Sequence, residues 1–277
     1  MLDREVRPAL PTAAGRALCA RATELLAQAN AMMDQVRAST RKEHAQIHLG
    51  CVDSFAATVG PRLIRALSGS ARQILMGSGL TPSLTEQLLG RALDFVICTD
   101  PGFSDPRIAQ QLLFSESWVA VFPRGHKVHT PAAPGALAAM AGDLSLIRYS
   151  QRSVIGQQIE RYLRHVGVQA PHQYAFDATD PLLSLVASGL GWALSTPLCL
   201  WQSRQYLDAV TVVQLPPARL GQRDFFLLSR ENEWAGLDAD IARITREVIR
   251  LDTAPAIRQA MPALSPNAIF CPEENPA

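Results

Sequence analysis

The stretch Ser188-Gly189-Leu190-Gly191-Trp192-Ala193-Leu194-Ser195-Thr196-Pro197 decides the reading of this chain. Before it, Leu182, Leu185 and Val186 recur at helical spacing. Two glycines then lead into a short apolar run, and the run stops at Thr196-Pro197. A threonine before a proline marks a helix start, because the hydroxyl can cap and the missing N–H of proline costs nothing in the first turn. Helix, tight turn, buried strand and new helix therefore follow within twenty residues. That order is how an α/β protein carries unpaired backbone N–H groups to a cleft.

Working outward, the pattern repeats. Strands are expected at Ile47–Val52, Leu93–Cys98, Trp118–Phe122, Leu144–Ile147, Leu190–Leu194, Val210–Leu215 and Phe225–Leu228. Helices are expected between them at Pro61–Leu67, Ser83–Leu89, Ile155–His165, Pro181–Ser188 and Pro197–Tyr206. The alternation implies a mainly parallel sheet covered by helices on both faces. The proline- and glycine-bearing loop Phe122–Pro134 suggests two subdomains, with the chain returning near Gly221–Asp224.

Residues 12 to about 43 read differently. Leu18, Ala22, Leu25, Ala29, Met32 and Val36 recur at spacings of four and three, a heptad seam on one long helix that Thr12 can cap. So narrow an apolar stripe favours a dimerising coiled coil, with Leu18, Leu25, Met32 and Val36 at the contact.

Composition narrows the function classes. The chain has 277 residues, 48% hydrophobic and 18% charged, with a formal net charge of +1. It can build a large core but is not a polyanion binder by overall charge. The five cysteines form no CxxC pair and no cluster with zinc spacing, so neither a metal nor another cofactor is expected. Cys51 and Cys98 lie in apolar runs and read as small hydrophobes. No apolar run reaches the ~20 residues of a membrane helix, and the charged start has no signal-peptide core, so a cytoplasmic protein is expected.

These pieces, taken in order, resemble the bacterial LysR-type transcriptional regulators. Asp3-Arg4-Glu5-Val6-Arg7-Pro8 resembles the wing of that family's DNA-binding domain. Pro11-Thr12-Ala13-Ala14-Gly15 resembles the start of its linker helix, with Pro11 where the family has leucine. Then come Leu84 and Leu88 with Leu93-Asp94, Glu116-Ser117-Trp118-Val119-Ala120-Val121, Arg148-Tyr149-Ser150, Gly156 with Ile159-Glu160, and the glycine segment itself. One departure is Gly90, a place earlier than the family's usual glycine, which leaves Arg91 there.

The resemblance implies a linker helix followed by a two-lobed effector domain of the type 2 periplasmic-binding-protein fold. The expected divisions are a wing remnant at 1–11, a linker and coiled-coil helix at 12–44, an effector domain at 45–252 and a weakly ordered tail at 253–277. Lobe I is expected at about 45–123 and 224–252, and lobe II at about 124–223. The helix-turn-helix that should precede the wing is missing from this sequence, so the chain reads as a truncated regulator. Arg4 and Arg7 remain as candidate phosphate contacts.

For the effector, an anion or carboxylate, the resemblance and the helix-start chemistry together nominate Ser54, Phe55, Thr81, Ser83, Ser150, Ser153, Trp192 and Thr196. Of these, Trp192 reads more readily as a core residue than as a ligand-stacking one. A homodimer or homotetramer, and DNA in the intact regulator, are the implied partners. Two rival readings are a free-standing binding protein of the same fold and a hydrolase built on Ser54, Asp94 and His126. The sequence has neither a GxSxG elbow nor an HExxH motif to support the second.

Overall fold

The computed structural model describes residues 2–3, 10–18, 21–22, 46–69, 71–102, 104–128, 137, 139, 144–171, 173–216, 220–231, 233–234 and 236–272. At the N-terminus, β1 (Leu2–Asp3) and β2 (Leu10–Pro11) pair antiparallel around the segment read as a wing. Thr12 caps the helix that follows: its Oγ1 accepts from Gly15 N at 3.1 Å, and its carbonyl from Arg16 N at 2.8 Å. Leu18 is on this helix and half exposed. The other seam positions Leu25, Met32 and Val36, with Arg4 and Arg7, lie outside the described residues.

The rest forms two lobes, each around its own mixed sheet. Lobe I holds β3 (Gln46–Cys51), β4 (Gln73–Ser78), β5 (Phe95–Thr99), β6 (Ile108–Ser117), β12 (Gln222–Arg230) and β13 (Ile269–Phe270). Their order is β13-β6-β12-β5-β3-β4. Lobe II holds β7 (Val119–Pro123), β8 (Leu146–Tyr149), β9 (Tyr174–Phe176), β10 (Trp192–Ser195) and β11 (Val210–Gln214), in the order β11-β7-β10-β8-β9. Numbered from the first helix of the lobes, the helices are α1 (Asp53–Thr58), α2 (Gly60–Leu67), α3 (Thr81–Leu89), α4 (Val154–His165), α5 (Thr179–Ala187), α6 (Pro197–Gln202), α7 (Leu237–Val248) and α8 (Ala254–Ala260).

The sheets are less parallel than expected. β3 runs parallel to β4 and β5, and β8 to β9 and β10, but β6, β7, β11, β12 and β13 all pair antiparallel. Of the strands that carry the chain between lobes, β7 and β12 run against the parallel set and β6 and β11 run with it, while β13 at the edge runs against β6.

The lobe boundary also moves. The chain leaves lobe I at Ser117–Val119 and returns between Gln214 and Gln222. Val119–Phe122 is a wholly buried run inside the second sheet, so the loop after it ends a strand and does not separate lobes.

The expected weakly ordered tail is corrected as well. A π-helical turn (Ile249–Thr253), α8 and β13 continue the fold, and Ile257, Met261, Leu264 and Ile269 are buried. Apolar residues spaced among the tail's prolines give it enough burial to order.

Local sequence explains how the pieces seat. The two glycines of the opening stretch have different duties. Gly189 adopts φ +82°, a left-handed turn with nothing near its Cβ position. Gly191 passes so close to the start of β8 that a Cβ would stand 2.2 Å from the Ser145 carbonyl oxygen. Trp192 is 1% exposed and stacks on Phe122 at 5.5 Å, so it belongs to the lobe II core and is removed from the candidate ligand contacts. Arg148 on β8 pairs with Glu160 on α4 and donates to the Ala170 carbonyl at 2.6 Å, fixing that helix against its sheet.

Candidate functional site

The parallel strands of both lobes end at one place. From β3 the chain turns through Val52 into α1 with Asp53 and Ser54; β4 leads through Gly79 and Leu80 to Thr81; β5 ends at Thr99. From the other lobe, β8 ends at Tyr149 before Ser153, β9 leads through Asp177 and Ala178 to Thr179, and β10 ends at Ser195 before α6. Carboxyl ends of parallel strands are where α/β sheets place ligand crevices. All of these turns except the one into α6 supply lining to one cleft, and α6 lines it farther on, through Cys199 and Gln202.

The helices α3, α4 and α5 begin at this cleft, with Leu80, Ser153 and Ala178 as their N-caps. First-turn N–H groups have no intrahelical acceptor and carry the positive end of the helix dipole. Only Ser153 caps with its side chain, accepting from Gly156 N at 3.2 Å. The expected caps Thr81 and Thr196 do other work. Thr81 Oγ1 donates to the Thr99 carbonyl at 3.3 Å, joining α3 to β5. Thr196 faces an arginine outside the nominated set.

That arginine is Arg223, on β12. Its Nε donates to Glu116 Oε1 at 2.9 Å, and its Nη2 donates to Thr196 Oγ1 at 3.0 Å and Ser54 Oγ at 3.3 Å. Cys199 Sγ lies 3.7 Å from the same Nη2, and the guanidinium stands over the Phe225 ring. Glu116 completes its own shell by accepting from Leu198 N at 2.9 Å. Arg223 and Glu116 belong to lobe I; Thr196, Leu198 and Cys199 belong to lobe II. The floor of the cleft is therefore a buried ion pair held from both sides. Burial, the largest single influence, pulls the Arg223 pKa down, but the neighbouring Glu116 carboxylate, Cys199 and Tyr149 together hold the guanidinium above its ordinary value.

Tyr149 forms the lobe II wall. Its hydroxyl lies 3.0 Å from both Thr179 Oγ1 and Ser195 Oγ, and burial pushes its pKa well above the ordinary value. The cavity itself is narrow, about 50 Å³. A cavity that takes benzene measures roughly 150 Å³ on a comparable scale. In this arrangement of the lobes the cleft admits a head group, not an aromatic body.

Of the nominated residues, Ser54, Thr81 and Ser153 line the cleft. Thr196 sits beneath it, fully buried against Arg223. Ser150 stands at the rim, bonded to Asp177. Phe55 is wholly buried near Phe225 and belongs to the core, and Ser83 is exposed on α3 beside Gln87. Both correct the expectation: the helix turn points the residue after Ser54, and the one two after Thr81, away from the cleft. Tyr149, Thr99, Thr179, Arg223 and Glu116 were missed. Glu116 stood inside a quoted motif, but a glutamate in a strand gives no hint of its partner 107 positions away.

The residues of the hydrolase reading are not assembled. Asp94 is at the amino end of β5, accepting from His48 N at 2.9 Å and from Arg230, whereas Ser54 follows the carboxyl end of β3. His126 stacks on Phe122 in the other lobe. Among the described residues no group of three or more His, Cys, Asp or Glu side chains could hold a metal ion, and no helix is long and apolar enough to cross a membrane.

Residues 40–240 match the family described as the LysR substrate binding domain. A probable hydrogen peroxide-inducible genes activator from Streptomyces viridosporus is 28% identical over 199 residues, which are 70% of this chain. The match spans 62% of that relative's length. Among solved structures, a hydrogen peroxide-bound cysteine-to-serine mutant of Corynebacterium glutamicum OxyR superposes with a TM-score of 0.69 at 17% identity, covering 94% of this chain and 82% of the other. Reduced OxyR from N. meningitidis gives 0.60 at 18% identity, with coverages of 75% and 97%. The effector-binding domain of QuiR in complex with shikimate gives 0.58 at 18% identity, with coverages of 76% and 99%. At these identities the structures speak for the fold.

Proposed function

Because the chain belongs to the family of LysR substrate-binding domains, we propose that it is the sensing part of a LysR-type transcriptional regulator, acting in the cytoplasm by binding a small carboxylate-bearing effector between its lobes. One observation carries the reading: the helix starts of α3, α4 and α5, drawn from both lobes, line a single cleft together with the hydroxyl residues Ser54, Thr81 and Thr99. The backbone N–H groups at those helix starts and the Ser54 hydroxyl offer donors to an anion, while the Thr81 hydroxyl is engaged by the Thr99 carbonyl and Arg223 is already neutralised by Glu116. The arrangement suits binding and not turnover.

A ligand that prefers one lobe angle shifts the population toward it. In a regulator that assembles as a homodimer or homotetramer through its linker helices, that shift changes the spacing of the DNA readers. QuiR, whose effector domain binds shikimate, offers a precedent for a compact hydroxylated carboxylate. The test is a thermal-shift screen of small carboxylates and aromatic acids. A stabilising compound should lose affinity in Ser54→Ala and Thr81→Ala; unchanged affinity in both removes the cleft assignment.

Cys199 favours a second reading. It lines the cleft with its sulfur near Arg223, and the relatives include peroxide-linked regulators. In that reading the Cys199 thiolate attacks the peroxide O–O bond, the sulfur is oxidised to a sulfenate and water leaves after protonation. Dimedone labelling after hydrogen peroxide treatment decides it, since a Cys199 that stays unlabelled while Cys271 reacts excludes the reading.

A further inference from the structure

The chain does not stop once lobe I is complete. In the π-helical turn that follows α7, Asp252 pairs with Arg62 on α2, and α8 then packs against α6 of lobe II. Residues 261–270 then run across the two crossovers. Ser265 N donates to Gln214 Oε1 at 3.3 Å, at the last residue of β11 before the return to lobe I. The Ala268 carbonyl accepts from Ser117 N at 2.9 Å, at the last residue of β6 before the first crossover. Ile269 is then registered opposite Glu116, and Phe270 opposite Ser115.

The crossovers are already fastened to each other by Trp118. Its backbone N donates to the Gly221 carbonyl at 3.1 Å and its Nε1 to the Leu220 carbonyl at 2.7 Å. A change of lobe angle must be taken up in the backbone of these two crossovers. The C-terminal segment bonds to the residue just before each of them, and its Leu264, Ala268 and Ile269 are buried. It also adds a strand to the backbone of Glu116, the residue that holds Arg223 in the cleft floor.

We propose that residues 254–270 are a hinge strap, which holds the lobes at the narrow cleft angle and positions Glu116 beneath Arg223, so that opening the cleft requires loosening this segment. The proposal rests on the reading of the interlobe space as a cleft that opens. It is tested without a ligand, so a failed ligand screen and a failed strap are separate results.

Cys199 is 3% exposed on the cleft wall and reports opening; Cys98 is wholly buried in lobe I and reports unfolding. N-ethylmaleimide labelling of both is followed by peptide mass spectrometry in the 277-residue chain. Ile269→Asp unseats β13, and Gln214→Ala removes the lobe II acceptor. In Gln214→Ala the Cys199 rate should rise severalfold, up to about tenfold, as expected when one net hydrogen bond is lost from a local opening equilibrium. Ile269→Asp should raise it further, with Cys98 unchanged in both. Should Ile269→Asp fail to fold, seen as Cys98 and Cys199 accelerating together, Gln214→Ala decides alone. Wild-type Cys199 labelling in Gln214→Ala overturns the strap.

Discussion

Arg223 and Glu116 stand directly opposite each other in the register of β12 and β6, with side chains 3% and 0% exposed. Neighbouring strands of one sheet thus fix the pair in lobe I, while Thr196 and Leu198 of lobe II complete its hydrogen bonds. Breaking such a pair from one side leaves an uncompensated buried charge, which costs about 3–5 kcal/mol. Glu116→Ala should therefore lower the free energy of urea unfolding by that amount. The double variant Glu116→Leu with Arg223→Leu should lose clearly less, because no charge is left stranded. Equal losses in the single and double variants would mean that packing, and not charge pairing, sets the value of this site.

The opening glycines separate two reasons for the same residue. Gly191→Ala drives a methyl group onto a backbone carbonyl at 2.2 Å, and overpacking of that kind costs about 3 kcal/mol. Gly189→Ala meets empty space and pays only the left-handed backbone, about 1–2 kcal/mol. Thermal unfolding of the two variants should rank them in that order, and the reverse order would contradict the assigned roles.

How far the sequence could be read follows from such details. The turn, strand and helix start around Gly189–Pro197 were legible because glycine, proline and buried β-residues act locally. Trp192 as a core residue was within reach for the same reason. β4 and β6 were not found: β4 is an edge strand with mostly exposed residues, and β6 places Gln110 and Gln111 in the middle of its run. β9 is three residues long and carries no pattern of its own. In the site, Ser54, Thr81 and Ser153 were legible as helix-start residues. Arg223 was not, since its meaning comes from strand register and from residues 27 and 169 positions away.

Arg91 offers a test in the stabilising direction. It occupies a left-handed position, φ +63°, just past the end of α3, while Gly90 before it has an ordinary φ of −77°. The glycine displaced by one place thus leaves a bulky residue in the conformation that favours glycine. The Arg91–Glu233 ion pair is exposed on the arginine side and contributes little. Arg91→Gly relieves about 1–2 kcal/mol of backbone strain against about 0.5–1 kcal/mol of added chain entropy. A small gain in melting temperature is expected, and a clear loss would show that the ion pair matters more than the turn.

Stability should fall on the alkaline side, for a reason placed in the lobe I core. Burial, reinforced by Asp53 for one thiol and Asp100 for the other, pushes Cys51 and Cys98 up to about 12 from an ordinary 9.0. In the unfolded chain these thiols lose their protons near the lower value, while in the folded protein they keep them. Between the two values the unfolded state binds fewer protons, so stability falls as pH rises. The loss approaches 1.4 kcal/mol per pH unit for each thiol, or about 2–3 kcal/mol for both between pH 8 and 10. Burial raises Tyr162 to about 12 as well, which extends the decline above pH 10 in the same direction. Urea titrations at pH 8 and 10 measure the slope, and Cys98→Ala should remove about half of it after correction for its own packing loss. A wild-type protein equally stable at both pH values would show that these thiols already ionise freely in the folded state.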